Sequence, residues 1–286
     1  MQKPEIYIIF LFILMIFLWI LYECTSKQII RSIETFALNK RMNEDYEEGE
    51  LQFKVFVINL KKDKDRYDKF MKIYNQSDMK SFPITRYDAV EGDKMRTPEH
   101  YLTDKALREM KMISTFGFRI AHYQLSKGGL GCFMSHMNLA KQLISDPTSE
   151  EYLIFEDDTN IFKTPFKKIR FFMKHVPDDW DYILFYVVRM EGNKINSYFA
   201  KPNAFWGLNC YFVNKRGAEK LVNEVKQTKI DGQIDSYMAR MCQQNKLNIY
   251  VCTHQFIESN SNTSNIQYNL ITIPNIDPFM FNGYKV

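Results

Sequence analysis

Apolar positions in this chain fall into short runs, and their spacing alternates between strand-like and helical. Phe53–Leu60, centred on Val55-Phe56-Val57-Ile58, predicts a buried strand. A charged helix is predicted from Asp63 to Tyr74, where Tyr67, Phe70, Met71 and Tyr74 keep helical spacing. Pro83–Val90 predicts a second strand, with Gly92 as the turn signal after it. Thr103–Ile113 reads as a helix with Thr103 as its cap and Asp104 in its first turn. Gly128-Gly129-Leu130-Gly131 reads as a glycine turn opening a helix over Cys132–Ile144, without the G-x-G-x-x-G spacing of a dinucleotide loop. Further strands are predicted at Tyr152–Phe155, Asp181–Val188, Ala204–Val213 and Leu247–Cys252, and helices at Arg216–Val225 and Gly232–Gln244. Strands alternating with helices argue for an α/β fold with a mostly parallel sheet.

The N-terminus follows a different pattern. Ile6–Tyr22 is an unbroken apolar run, at the short end of what crosses a bilayer, about 17 residues. Leu21-Tyr22-Glu23-Cys24 is too bulky for a signal-peptidase site, so an uncleaved transmembrane anchor is expected. The expected organisation is a tail over 1–5, the anchor over 6–22, a polar stem over 23–50 and one large domain over 51–286. Lys3 precedes the run, whereas Lys27, Arg31, Lys40 and Arg41 follow it, which by the positive-inside rule places the domain in the cytoplasm.

A net charge of +4 over 286 residues gives no reason to expect a nucleic-acid partner. Cys132, Cys210, Cys242 and Cys252 are widely spaced with no CxxC pair, which argues against a zinc site. They are either disulfide partners in a lumen or small core residues in a cytosol.

The strand Tyr152–Phe155 runs directly into Glu156-Asp157-Asp158. A carboxylate beside a core needs a partner, and ligands of open α/β sheets bind beyond the carboxyl ends of strands. Clustered acids there suit a hard divalent cation, which suits a diphosphate substrate. The alternative is a solvated acidic turn.

Several segments in order resemble glycosyltransferase family 25, which includes lipopolysaccharide-type glycosyltransferases and collagen hydroxylysine galactosyltransferases. They are Val57-Ile58-Asn59-Leu60 with Arg66, Arg86-Tyr87-Asp88-Ala89-Val90-Glu91-Gly92, Gly131-Cys132-Phe133-Met134-Ser135-His136, and Phe155-Glu156-Asp157-Asp158. Tyr211–Leu221 with its Gly217-Ala218, Ile234-Asp235, and Ser264-Asn265-Ile266 complete the series, the last with Asn in place of the family's Asp. The resemblance implies a GT-A-like nucleotide-sugar-binding fold, a UDP-sugar donor, manganese, and inverting transfer of a hexose such as galactose or glucose. The acceptor would be hydroxylysine of a collagen-like protein or a glycan, and the domain would be lumenal, against the charge rule.

Within that frame Asp157 and Asp158 are the metal-ligand candidates, with Glu156 behind them because side chains alternate along a strand. Asn59, Leu60, Arg66 and Asp88 are candidates for the nucleotide, Arg66 through its planar fork on phosphate. Ser135 and His136 share a helix face with Cys132 and either line the donor site or support it. Inversion needs a base, for which Asp235 and then Asp231 are the candidates, with His254 and Glu258 further outside. Phe205 and Trp206 either stack on a sugar or belong to the core. Two other readings remain: a silent family member acting as a membrane-anchored binding or chaperone-like protein, and an acid-rich calcium-binding module.

Overall fold

The computed structural model describes residues 15–28, 53–96, 98–254, 256–259 and 269–270. The chain divides into two compact units, Met1–Gly49 and Glu50–Val286. In the first, residues 15–28 form a helix, α1, with the side chains of Met15–Tyr22 exposed. No helix among the described residues is long and apolar enough to cross a membrane. Residues 6–14 of the expected anchor, most of the stem and Ser264-Asn265-Ile266 lie outside the described residues.

The second unit is built on one eight-stranded sheet. Its strands are β1 (Lys54–Asn59), β2 (Ile84–Asp88), β4 (Glu151–Glu156), β6 (Tyr182–Tyr186), β7 (Arg189–Lys194), β8 (Phe199–Trp206), β9 (Cys210–Asn214) and β10 (Ile249–Cys252). Short pieces β3 (Phe118–Arg119), β5 (Thr159–Ile161), β11 (Ile257–Ser259) and β12 (Asn269–Leu270) form two small separate ladders. The helices are α2 (Lys64–Gln76), α3 (Asp104–Phe116), α4 (Lys127–Ser145), α5 (Pro165–Met173), α6 (Lys215–Thr228) and α7 (Ile234–Gln243).

The strand order is β2-β1-β4-β9-β6-β10-β8-β7. β1 pairs parallel with β2 and β4, and β6 with β10, whereas β9 is antiparallel to both β4 and β6 and β8 to both β10 and β7. The expected mostly parallel sheet is therefore corrected to a mixed one. The expected strand Ala204–Val213 is two strands, parted at Gly207, whose φ of +93° lies where residues with a Cβ are strained.

Both faces of the sheet are covered, which is why its central strands are apolar at nearly every position. Phe56, Ile58, Tyr152, Ile154, Leu184, Tyr211 and Val213 alternate along their strands and pack in one core with residues of α3, α4, α6 and α7. On the other face Phe155 meets Phe70 and Tyr74 of α2, at ring separations of 5.6 and 6.4 Å, and Phe256 stacks on Phe172 of α5 at 5.5 Å. The expected helix boundaries hold except at α4. Ser126 caps that helix by accepting from the Gly129 N–H, so the glycines expected as a turn are helical. All five cysteines are unpaired, and Cys210, Cys242 and Cys252 are buried core residues.

Candidate functional site

Because β2, β1 and β4 run parallel, their carboxyl ends meet at one edge, with Asn59 beside Asp88 and Ile58 beside Glu156. β9 runs the other way and starts opposite Phe155, which delivers Asn209 to the same edge. A cleft of about 400 Å³ opens there. Leu60, Arg66, Ser135, His136, Glu156, Asp157, Asp158 and Asp235, all singled out from the sequence, line it together with Cys132, Trp206 and Asn209.

The acidic triplet is held by backbone bonds on both sides: the Glu156 N–H donates to the Asn209 carbonyl at 2.8 Å and the Asp157 N–H to that of Ile58 at 3.2 Å. Glu156 is the last residue of β4 and keeps the face of Tyr152 and Ile154, towards His136 of α4, where it lines the cleft together with Asp157 and Asp158.

Each acid has its own partners. Asp157 accepts from Asn59 Nδ2 at 2.6 Å and is ion-paired with Arg66. Asp158 accepts from Asn209 Nδ2 at 2.8 Å and lies 3.5 Å from Arg66. Glu156 takes His136 Nε2 at 3.1 Å and Asn209 Nδ2 at 3.3 Å. Asp235, in the first turn of α7, accepts the Gly207 N–H at 3.0 Å and the Ser236 N–H at 2.7 Å.

These carboxylates crowd one another. Burial and then the Glu156 charge raise the Asp158 carboxyl to about 6, against the opposing pull of Arg66. Burial raises Asp157 and Asp235 too, and Glu156 adds to both. Several acids share a partly buried space with less positive charge than they need, a donor set that fits a hard divalent cation. Asp158, with its second oxygen held only by the more distant Arg66, is the freest ligand. Asp157 is committed to Asn59 and Arg66.

The other expected residues divide by position. Asn59 is buried, supports Asp157, and is outside the cleft wall. Asp88 is 64% exposed and 3.7 Å from Arg86, beside the cleft and outside its lining. Ser135 Oγ accepts the Val90 N–H and donates to the Gly131 carbonyl, both at 2.8 Å, which makes it a clamp between α4 and the segment after β2. Asp231 forms a two-pronged pair with Arg240, each contact 2.7 Å, and is outside the cleft lining. His254 stacks on Phe172, Glu258 is outside the lining, and Phe205 is core. Trp206 lines the cleft with Arg189 over its ring at 5.3 Å.

Asn209 escaped the sequence reading. It joins Glu156, Asp158 and, at 3.3 Å, Ser259. The signal was Gly207 inside an apparent strand, which marks a bend that can present the residues after it.

Residues 52–238 match the profile of glycosyltransferase family 25 (LPS biosynthesis protein). Procollagen galactosyltransferase 2 of Homo sapiens is 28% identical over 180 residues, covering 59% of this chain and 27% of that protein. A glycosyltransferase 25 family member of Aedes aegypti is 26% identical over 206 residues, covering 65% of this chain and 30% of that one. The chain thus spans under a third of these relatives' lengths. A solved glycosyltransferase involved in the glycosylation of the major capsid of PBCV-1 overlaps 75% of this chain and 95% of its own at 11% identity and a TM-score of 0.39, too loose a likeness to bear on function.

Proposed function

The chain belongs to glycosyltransferase family 25, and on that premise we propose that it is a metal-assisted transferase moving a hexose from a UDP-sugar to an acceptor hydroxyl. Galactose is the first sugar to try, with glucose second, and hydroxylysine of a collagen-like protein or a glycan hydroxyl is the acceptor. Residues 6–22 would anchor the chain in a membrane with the domain lumenal.

The observation that carries this reading is the crowded carboxylate edge of a cleft large enough for a nucleotide sugar. Asp158, with Asp157 beside it, would hold manganese; the bound ion neutralises charge on the departing diphosphate. Arg66, already the counter-ion of both aspartates, is placed to reach phosphate oxygens. The first turn of α4, with Gly128 and Gly129 on the cleft, presents the positive end of a 19-residue helix. Asp235 is the base. Its elevated proton affinity suits it to take the acceptor hydroxyl proton while that oxygen bonds to the anomeric carbon and the bond from that carbon to the UDP oxygen breaks, its electron pair leaving with UDP.

The test is UDP release with manganese across a panel of UDP-sugars, with and without hydroxylysine peptides and glycans. Asp235→Asn should lower kcat by about 10²–10⁴ with little change in KM. If no UDP-sugar is consumed, and neither Asp157→Ala nor Asp158→Ala alters anything, the enzymatic reading fails. Both Asp235 oxygens already accept backbone N–H groups, which favours a second reading, a silent member; UDP binding without turnover would select it.

A further inference from the structure

His136 and Cys132 stand one helical turn apart on α4 and face the end of β4. A ring nitrogen of His136, the Cys132 sulfur and a Glu156 carboxylate oxygen all lie within 4.8 Å of one another. We propose that these three residues form a binding site for a thiophilic divalent ion of the zinc class, separate in ligands from the hard-cation site at Asp157 and Asp158.

The chemistry of the three donors matches that class. Zinc takes thiolate, imidazole and carboxylate together, commonly three protein ligands with one open position, whereas magnesium, calcium and manganese prefer oxygen alone. Ligand atoms around a tetrahedral zinc sit ~3.5 Å apart, so small side-chain rotations close the present spacing. The histidine already has the support a metal ligand needs. Its Nδ1 is 2.7 Å from the Tyr211 hydroxyl, and its Nε2 faces Glu156 at 3.1 Å. Tyr211 is buried, and burial keeps its hydroxyl a neutral phenol, able to accept from Nδ1–H while Nε2 offers its lone pair to the ion. His136 is 2% exposed, so its orientation is fixed by packing.

Charge favours the ion as well. Burial first, and then the charges of Glu156, Asp235 and Asp158, raise the Cys132 thiol and hold its proton. The same negative field stabilises a divalent cation in the proton's place. Loading releases the thiol proton, and in the loaded site the imidazole proton sits on Nδ1, facing the Tyr211 hydroxyl.

Cobalt(II) titration of the full chain, with zinc as competitor, tests this without any turnover. One equivalent should give a sulfur-to-cobalt charge-transfer band in the near ultraviolet that zinc abolishes. The band should vanish in Cys132→Ser and persist in Cys24→Ser, which removes the exposed cysteine. Tyr211→Phe should weaken binding by about 10- to 100-fold while circular dichroism stays unchanged. Absence of the band from the unsubstituted chain, or an undiminished band in Cys132→Ser, overturns the site. Because the readout is spectroscopic, a chain that takes cobalt but consumes no UDP-sugar keeps this site and loses only the transferase reading.

Discussion

On the proposed function, Asp158 is the residue at which stability and function oppose each other. Its carboxyl, 15% exposed, is raised to about 6 from an ordinary value of 3.8, chiefly by burial and then by Glu156. A carboxyl raised by folding binds more protons in the folded chain than in the unfolded one. The ligand-free protein should therefore lose stability as pH climbs from about 4 to about 6, by on the order of 3 kcal/mol from this group. Asp158→Asn removes the charge, and its amide oxygen can still accept from Asn209. The substitution should stabilise the metal-free chain at pH 7 by about 1–2 kcal/mol in urea denaturation and abolish metal-dependent transfer. A variant less stable than the parent at pH 7 but equal to it at pH 4 would contradict this account, because the carboxylate would then be stabilising.

At the scale of elements, the cleft depends on how closely α4 approaches the segment after β2. A Cβ on Gly131 would stand 2.4 Å from the Val90 carbonyl oxygen and 2.7 Å from the Gly92 nitrogen, both backbone atoms with little room to move. Alanine gains about 1 kcal/mol of helix propensity over glycine, but the clash outweighs it. Gly131→Ala should cost about 1–3 kcal/mol in chemical denaturation. It should also disturb the Ser135–Val90 hydrogen bond and with it the cleft wall. An unchanged denaturation midpoint would mean that the two segments part easily.

This junction also explains what the sequence made legible. The central strands and their flanking helices showed through because Val55–Ile58 and Tyr152–Phe155 are buried on both faces and the helices keep regular apolar spacing. The glycines of α4 misled because glycine usually signals a turn, whereas at Gly131 tertiary contact demands a residue without a side chain inside a helix. β7 escaped because Arg-Met-Glu-Gly-Asn-Lys is a half-exposed edge strand with no apolar alternation. The acids of the site were visible as a motif. Their division of labour was not, since Asn59, Asn209 and His136 are brought to them only by the packing of strands and a helix distant in sequence.

For the Glu50–Val286 unit as a whole, the cleft draws on β1, the segment after β2, β4, α2, α4, α7 and the Gly207 bend, so a ligand there bears on much of the fold. Free of ligand, those elements hold crowded carboxylates together at an energetic cost. On the proposed function a cation would relieve it, and a diphosphate would complete the charge balance through the cation, Arg66 and the α4 terminus together. UDP and manganese should thus stabilise the chain cooperatively. At about 100 times Kd the linked gain is about 2.7 kcal/mol, which at about 2–4 °C per kcal/mol for a unit of this size raises Tm by about 5–10 °C. Manganese alone should give a smaller rise, and UDP with a chelator almost none. In Asp158→Asn the joint increment should disappear although the starting Tm is higher. Calcium alone producing the full rise, with UDP adding nothing, would instead favour a calcium-binding module, because a site built for that ion needs no diphosphate to balance its charge.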